Sequence, residues 1–310
     1  MAANVVARAN TPRQLLPKGT INQIIGTSYG SVTGELDGLF DEMKSDKYFE
    51  EIVMQTGFGL APNKTEGSAI YYDTAREAWV ARTEHETVAI GFMVTEEQVE
   101  DNQHQNMLTM LAKQVGRAMG QTKEQKKANV LNNAFDSSYT QGPNGDGQPL
   151  ISADHPVVEG GVQSNLLTAD LSETALESAL TTISKAKDDR GLFINLNARS
   201  LWVPSETRFT AYRILNANGQ VNTEYLNNPN AMKDMGMFPG GLHVARRLTD
   251  SDSWYIRTDL PDALPFYTRT PLQVKEDGDF DTGNYKHKAR ERYGLGSWGD
   301  WRALYASPGA

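Results

Sequence analysis

The sequence contains no cysteine, which excludes disulfides, thiolate metal sites and cysteine nucleophiles from any account of its function. It also lacks long apolar runs, none approaching the roughly 20 residues needed to span a bilayer, so no membrane partner is expected. The N-terminus, MAANVVARANTPRQLLPKG, has no hydrophobic signal core, so no export peptide is expected. Pro12 and Pro17 limit helix formation there, and the segment reads as a flexible tail. Histidines number only five and are scattered. Apolar residues make up 39% of the 310 residues and mean hydropathy is −0.52, leaving much polar or extended surface to accommodate. Charged residues, at 22% with both signs interleaved, argue against disorder. The net charge of −9, from 39 acidic against 30 basic residues, repels phosphate backbones and argues against sequence-directed DNA binding.

What is present is a run of alternating elements without internal repeats. Residues 20–60 show short amphipathic segments (Ile21, Ile24 and Ile25; Leu36, Leu39, Phe40 and Met43). Gly26, Gly30, Gly34 and Gly38 make a continuous helix there costly, so the region is expected to drape over other structure. Residues 64–94 carry the strongest strand signal and are expected to form an extended hairpin, with Arg76, Trp79 and Arg82 at its tip. Its charges interrupt the apolar positions, so it cannot bury a full face at home and is expected to seek a partner. On this view, deleting 72–86 leaves a folded subunit.

Thr95 opens a capping box, TEEQ, and apolar positions at helical spacing run from Val99 to Phe135 without a proline. Unbroken, those 41 residues would extend about 60 Å, with Gly116 and Gly120 as candidate bends and one narrow buried stripe. A loop at 141–149 is followed by a helix over 172–189, capped by Ser172 and stopped by Gly191. Then come a strand at Ser200–Val203, a helix at 205–215 grouping Phe209, Tyr212 and Leu215, and several strands from 240 onward.

Chemical motifs are few and incomplete. Gly26-Thr27-Ser28-Tyr29-Gly30 matches a G-x-S-x-G elbow, which requires a preceding buried strand, a following helix and an acid–histidine pair. The sequence offers only His287 late in the chain, so a hydrolase using Ser28 stands as the enzymatic alternative. Asp277–Gly283 resembles a calcium loop but has Thr282 where glycine is needed and Lys288 where a bidentate glutamate belongs. Asp101 and His104 lack a third ligand. Glu84-His85-Glu86 lies on a strand, where neighbours face opposite sides. Asp154-His155-Pro156 implies no nucleophile, no Walker sequence occurs, and GPNGDG at 142–147 lacks a phosphate loop's strand–turn–helix context. No catalytic, cofactor-binding or metal site emerges.

The order of elements resembles the major capsid proteins of tailed bacteriophages, the Hong Kong 97 phage-type fold. The resemblance covers about 60–308. It rests on 64–94 followed by the helix from Thr95, DGQPLISADHP at 146–156, NARSLWVPSETRFTAYRIL at 197–215, and above all the stretch 253–307. In that stretch Ile256–Asp259, Phe266–Val274, an acidic turn, Tyr285–Leu295 and Trp301–Ala306 follow in order. The resemblance implies an α+β fold with an N-terminal arm (1–60), an extension loop (61–94), a peripheral domain with a long spine helix (95–194) and a mixed α/β axial domain (195–280). A long strand would return to the peripheral domain and a terminal strand would close the chain (281–310).

It further implies hexamers and pentamers of an icosahedral shell enclosing double-stranded DNA, assembled in the host cytoplasm. A separate scaffolding protein, a portal and decoration proteins are the partners it suggests. Arg76, Trp79, Arg82 and Glu84 are the expected assembly contacts, arginine and aromatic residues being enriched at interface anchors. No cofactor is implied. An encapsulin-type nanocompartment, which shares the fold but packages an enzyme, is the nearest alternative.

Overall fold

The computed structural model describes residues 18–32, 34–95, 97, 104–142, 144–219, 230–278 and 283–309. In chain order the helices are α1 (Lys18–Gly30), α2 (His104–Asn132), α3 (Glu173–Ser184), α4 (Arg208–Asn216) and α5 (Ala231–Asp234). The strands are β1 (Asp41–Lys44), β2 (Phe49–Gln55), β3 (Glu77–Val94), β4 (His155–Pro156), β5 (Val162–Gln163), β6 (Ala198–Val203), β7 (Leu242–Val244), β8 (Trp254–Thr258), β9 (Pro265–Gly278), β10 (Tyr285–Gly294) and β11 (Leu304–Ser307). They fall into two compact units. The first takes the chain up to Gly34 with Glu86–Glu124 and Thr268–Tyr293, and the second takes Glu35–His85, Gln125–Tyr267 and Gly294–Ala310.

In the first unit β10 lies between β9 and β3. Ile21 and Ile25 of α1, Ala112, Val115 and Met119 of α2, and Ala289 of β10 form its buried core. The expectation of draped segments at 20–60 therefore fails at 18–30, where a regular helix forms. Burial of Ile21 and Ile25, at 2% and 0% exposure, outweighs the roughly 1 kcal/mol that glycine costs in a helix interior. Gly116 marks the reason for close packing: a Cβ there would lie 2.3 Å from the carbonyl oxygen of Ile25. The helix runs through Gly116 and Gly120 without interruption. Tyr29 anchors the end of α1 by donating its hydroxyl to Glu291 Oε2 at 2.8 Å.

In the second unit β6 is central to a four-stranded sheet of order β11-β8-β6-β7. It pairs parallel to β7 and antiparallel to β8, and β11 adds antiparallel to β8. Leu176, Leu180 and Ile183 of α3 and Ala211 and Ile214 of α4 cover it, meeting Leu201, Val203, Trp254 and Ile256. Ser172 caps α3 as expected, accepting from the Ala175 amide at 3.2 Å. The helix ends at Ser184 and not at 189, because the Ile194 amide donates to Ala186 O in the reversal that follows. On α4 Phe209 and Tyr212 are exposed, and the buried face is Ala211 with Ile214.

The long helix ends at Asn132, three residues before Phe135, with a turn closed by the Ala134 amide on Leu131 O. Its 29 described residues extend about 43 Å. The start expected at Thr95 and the pair Asp101–His104 fall at or beyond the limits of the described residues. Its polar middle is not all solvated: Glu124 and Lys127 are fully buried. The Glu124 carboxylate accepts from the Gly34 amide, and Lys127 pairs with Asp37.

Candidate assembly surface

The strand signal at 64–94 is realised as one 18-residue strand, β3, and not as a hairpin of its own. Between Thr74 and Ile90 there is no glycine, proline or asparagine to reverse the chain. The turn-formers lie earlier, at Gly57, Gly59, Pro62, Asn63 and Gly67. The partner is therefore β2, paired antiparallel from Phe49 opposite Glu84 to Gln55 opposite Glu77. Deleting 72–86 would remove Ala81, Thr83 and His85, all buried, so the expectation of a folded subunit after that deletion is withdrawn.

Beyond the paired strands the chain makes a long loop with a zipped neck. The Thr56 amide donates to Arg76 O at 2.9 Å, and the Arg76 amide returns a bond to Thr56 Oγ1 at 2.9 Å. Further out, Asp73 accepts from the Gly59 amide at 2.8 Å and from the Thr74 amide at 2.8 Å. Those two amides, and then nearby Arg190, hold the Asp73 carboxyl below the usual aspartate range. The loop past this neck exposes Phe58 (62%), Leu60 (81%), Ile70 (65%), Tyr71 (65%) and Tyr72 (85%). Five large apolar side chains exposed in one loop are characteristic of a surface that docks on something else.

The four expected contact residues sit on or beside β3 and not at the loop tip. Strand alternation sends Arg82 and Glu84 outward, while Trp79 shares the side of buried Ala81, Thr83 and His85. Trp79 is half-buried and its indole N–H points at Met54 Sδ, 3.0 Å away. Arg82 is half-exposed, donates to Glu51 Oε1 at 2.6 and 2.8 Å, and lies 4.3 Å over the Phe49 ring. Arg76 is exposed at the neck. The strand signal at 64–94 took in Ile70, Tyr71 and Tyr72, and Phe58 and Leu60 lay outside it and were missed. Their signal was available: apolar residues set among turn-formers have no local core to join.

The chemical motifs resolve as structure. Gly26–Gly30 is the last part of α1, continuing a helix that runs from Lys18, so Ser28 lies inside a helix and not on a strand-to-helix elbow. His85 is buried and its Nε2 meets Ser45 Oγ at 2.8 Å. His155 is fully buried, with its Nδ1 2.7 Å from Asp146 Oδ2 and its ring stacked 4.5 Å from Trp301. His287 stacks 4.9 Å from Phe92. Among the described residues no group of three or more histidine or carboxylate side chains could hold a metal. The calcium-loop residues 279–282 lie outside the described residues.

A family model described as phage capsid protein matches residues 81–307. No curated protein matches the sequence. Several solved structures are similar. The mature capsid of bacteriophage PhiM1 is 10% identical, with a TM-score of 0.57, covering 88% of this chain and 86% of that one. The capsid of cyanophage P-SCSP1u is 12% identical, with a TM-score of 0.55 and coverage of 88% and 86%. A virus-like particle from Pyrococcus furiosus is 11% identical, with a TM-score of 0.56 and coverage of 94% and 98%. At these identities the likeness establishes the fold.

Proposed function

Since the chain belongs to the phage capsid protein family, a class of structural proteins, we propose that it self-assembles into the hexamers and pentamers of an icosahedral shell enclosing the double-stranded DNA of a tailed phage. The observation that carries this reading is the exposed apolar loop at 58–72. A monomer gains nothing by holding Phe58, Leu60, Ile70, Tyr71 and Tyr72 in water, whereas a neighbouring subunit would bury them, each worth roughly 1.5–3 kcal/mol.

In this reading the loop and β3 together are the extension loop, α2 is the spine of the peripheral domain, and the sheet of β6 and β8 with α4 is the axial domain. Arg82 and Glu84, turned outward, and Arg76 at the neck act as rim contacts around the apolar tip; Trp79 supports the strand from its inner side. Assembly takes place in the host cytoplasm, with a separate scaffolding protein, a portal and decoration proteins as partners. The acidic balance lets the shell hold DNA without gripping it.

The nanocompartment reading shares this fold and differs in cargo. Nuclease treatment of particles purified from the source cell separates the two: protected DNA of genome length supports the virion. Particles that protect no DNA and contain an enzyme support the nanocompartment.

A further inference from the structure

The loop at 57–76 leaves the second unit through a narrow neck, and one side chain outside the loop reaches both of its legs. Arg190 donates from Nε to Gly57 O at 3.2 Å on the outgoing leg. From Nη2 it donates to Thr74 O at 2.8 Å on the returning leg, and the same nitrogen lies 3.6 Å from Asp73 Oδ1. Its Nη1 pairs with Glu159 Oε1 at 2.6 Å, in the turn between β4 and β5. A guanidinium can do this because its donors are fixed in one plane and point in several directions at once. An ammonium cannot span the same set.

Arg190 is itself held. Asp188 accepts from the amides of Arg190 and Leu192 through Oδ1, at 2.9 and 2.8 Å. The Asp188 amide donates back to Leu192 O at 2.8 Å. Gly191, with φ at +77°, supplies the left-handed residue this tight turn needs. The Gln163 side-chain amide ties Asp188 O to β5 at 3.2 Å. The turn is therefore a rigid mount that projects one side chain onto the neck, and that side chain is only 15% exposed.

We propose that Arg190 is the positioning residue of the loop: it clasps both legs of the neck and so sets the direction in which the apolar tip is presented. This rests on the reading of the loop as an assembly element, but the clasp can be measured without assembly. Two irregular legs joined only to each other can swing as a flap. Tied to a third element through Gly57, Thr74 and Asp73, they have one orientation. The ordering cost is then met before a neighbour arrives, which raises the rate or tightness of association.

The test is hydrogen exchange of the full chain, unassembled, comparing wild type with Arg190→Ala and Arg190→Lys, alongside an assembly assay. In Arg190→Ala the amides at 57–60 and 73–76 should exchange about tenfold faster, the scale of one charge-assisted hydrogen bond lost. Those of β6 and β8 should be unchanged. Arg190→Lys should fall between, since one leg at a time can still be held. Should Arg190→Ala loosen β6 and β8 as well, the lysine variant decides: faster neck exchange over an intact sheet supports the clasp, and unchanged neck exchange overturns it. A loosened neck with assembly at the wild-type rate overturns the part of the proposal in which the clasp speeds association, and leaves the loop's own assembly role to its deletion. An unchanged neck with failed assembly overturns the clasp and leaves the loop's assembly role standing.

Discussion

Arg257 and Asp41 form an ion pair, Nη2 to Oδ2 at 2.8 Å, in which the guanidinium is 1% exposed. The other donors of Arg257 reach Leu39 O, Leu260 O, Thr258 O and Ala303 O at 3.0–3.2 Å. Asp41 also accepts from the Ala263 and Leu264 amides. Burial lowers the pKa of Arg257, and the Asp41 charge beside it opposes that shift. The pair thus joins β1, β8, the turn before β9 and the 3-10 turn at Trp301–Ala303 that leads into β11. Replacing Arg257 with Ala strands a carboxylate and several carbonyls, a loss of about 3–5 kcal/mol. Urea unfolding of unassembled subunits checks it; a shift no larger than that of a surface substitution would mean the network is not formed.

Two glycines on packed helices should respond in opposite directions. Gly116→Ala places a methyl 2.3 Å from Ile25 O and should destabilise by about 1–3 kcal/mol as α1 is pushed away. Gly26 has nothing within 4 Å of its virtual Cβ, so Gly26→Ala should stabilise by roughly 0.5–1 kcal/mol. Paired denaturation curves measure both, and equal effects would contradict the close approach of α1 and α2.

These examples show what was legible beforehand. Periodicity located α2 and α3 because each buries one face at regular spacing, and β-forming residues located β6 and β8, which are buried almost throughout. The family resemblance followed from their order. The pairing of β3 was misread because strand propensity marks a strand and not its partner, and the reversal lay upstream in the glycine-rich stretch at 57–67. The glycines of α1 suggested a break, since local propensity cannot see that Ile21 and Ile25 have a core waiting. Arg257 and Arg302 were invisible as buried groups: their burial depends on carbonyls and carboxylates far apart in sequence, Asp41 for one and Asp189 for the other.

Removing only the loop should separate folding from assembly. Deleting 60–72 and joining Gly59 to Asp73, already bonded at 2.8 Å, through a short glycine linker spares every paired residue of β2 and β3. The variant should keep the wild-type circular dichroism and melting midpoint, and should remain unassembled in sedimentation velocity. Shells of normal size from this variant would show that the loop is dispensable.

Alkaline pH should weaken the fold through its buried tyrosines. Burial raises Tyr255 and Tyr305 from an ordinary 10.0 to about 12. Tyr29 and Tyr293 are raised further, by burial and then by Glu291 beside them. Unfolded tyrosines release their protons first, so the folded state holds more protons above pH 10. The stabilisation is complete below that value and is lost as pH rises through about 12. Urea midpoints taken across that window should fall, and the absorbance difference between wild type and Tyr255→Phe or Tyr305→Phe should show tyrosinate at those positions only as the subunit unfolds. Tyrosinate assigned to Tyr255 or Tyr305 near pH 10 in folded protein would contradict the burial.

The most direct measurement is electron cryo-microscopy of the purified chain under conditions that promote association. The account predicts capsomers and closed shells, with density for Phe58, Leu60 and Tyr72 resting on an adjacent subunit. Discrete small particles alone, with no capsomers or shells under any condition, would contradict it.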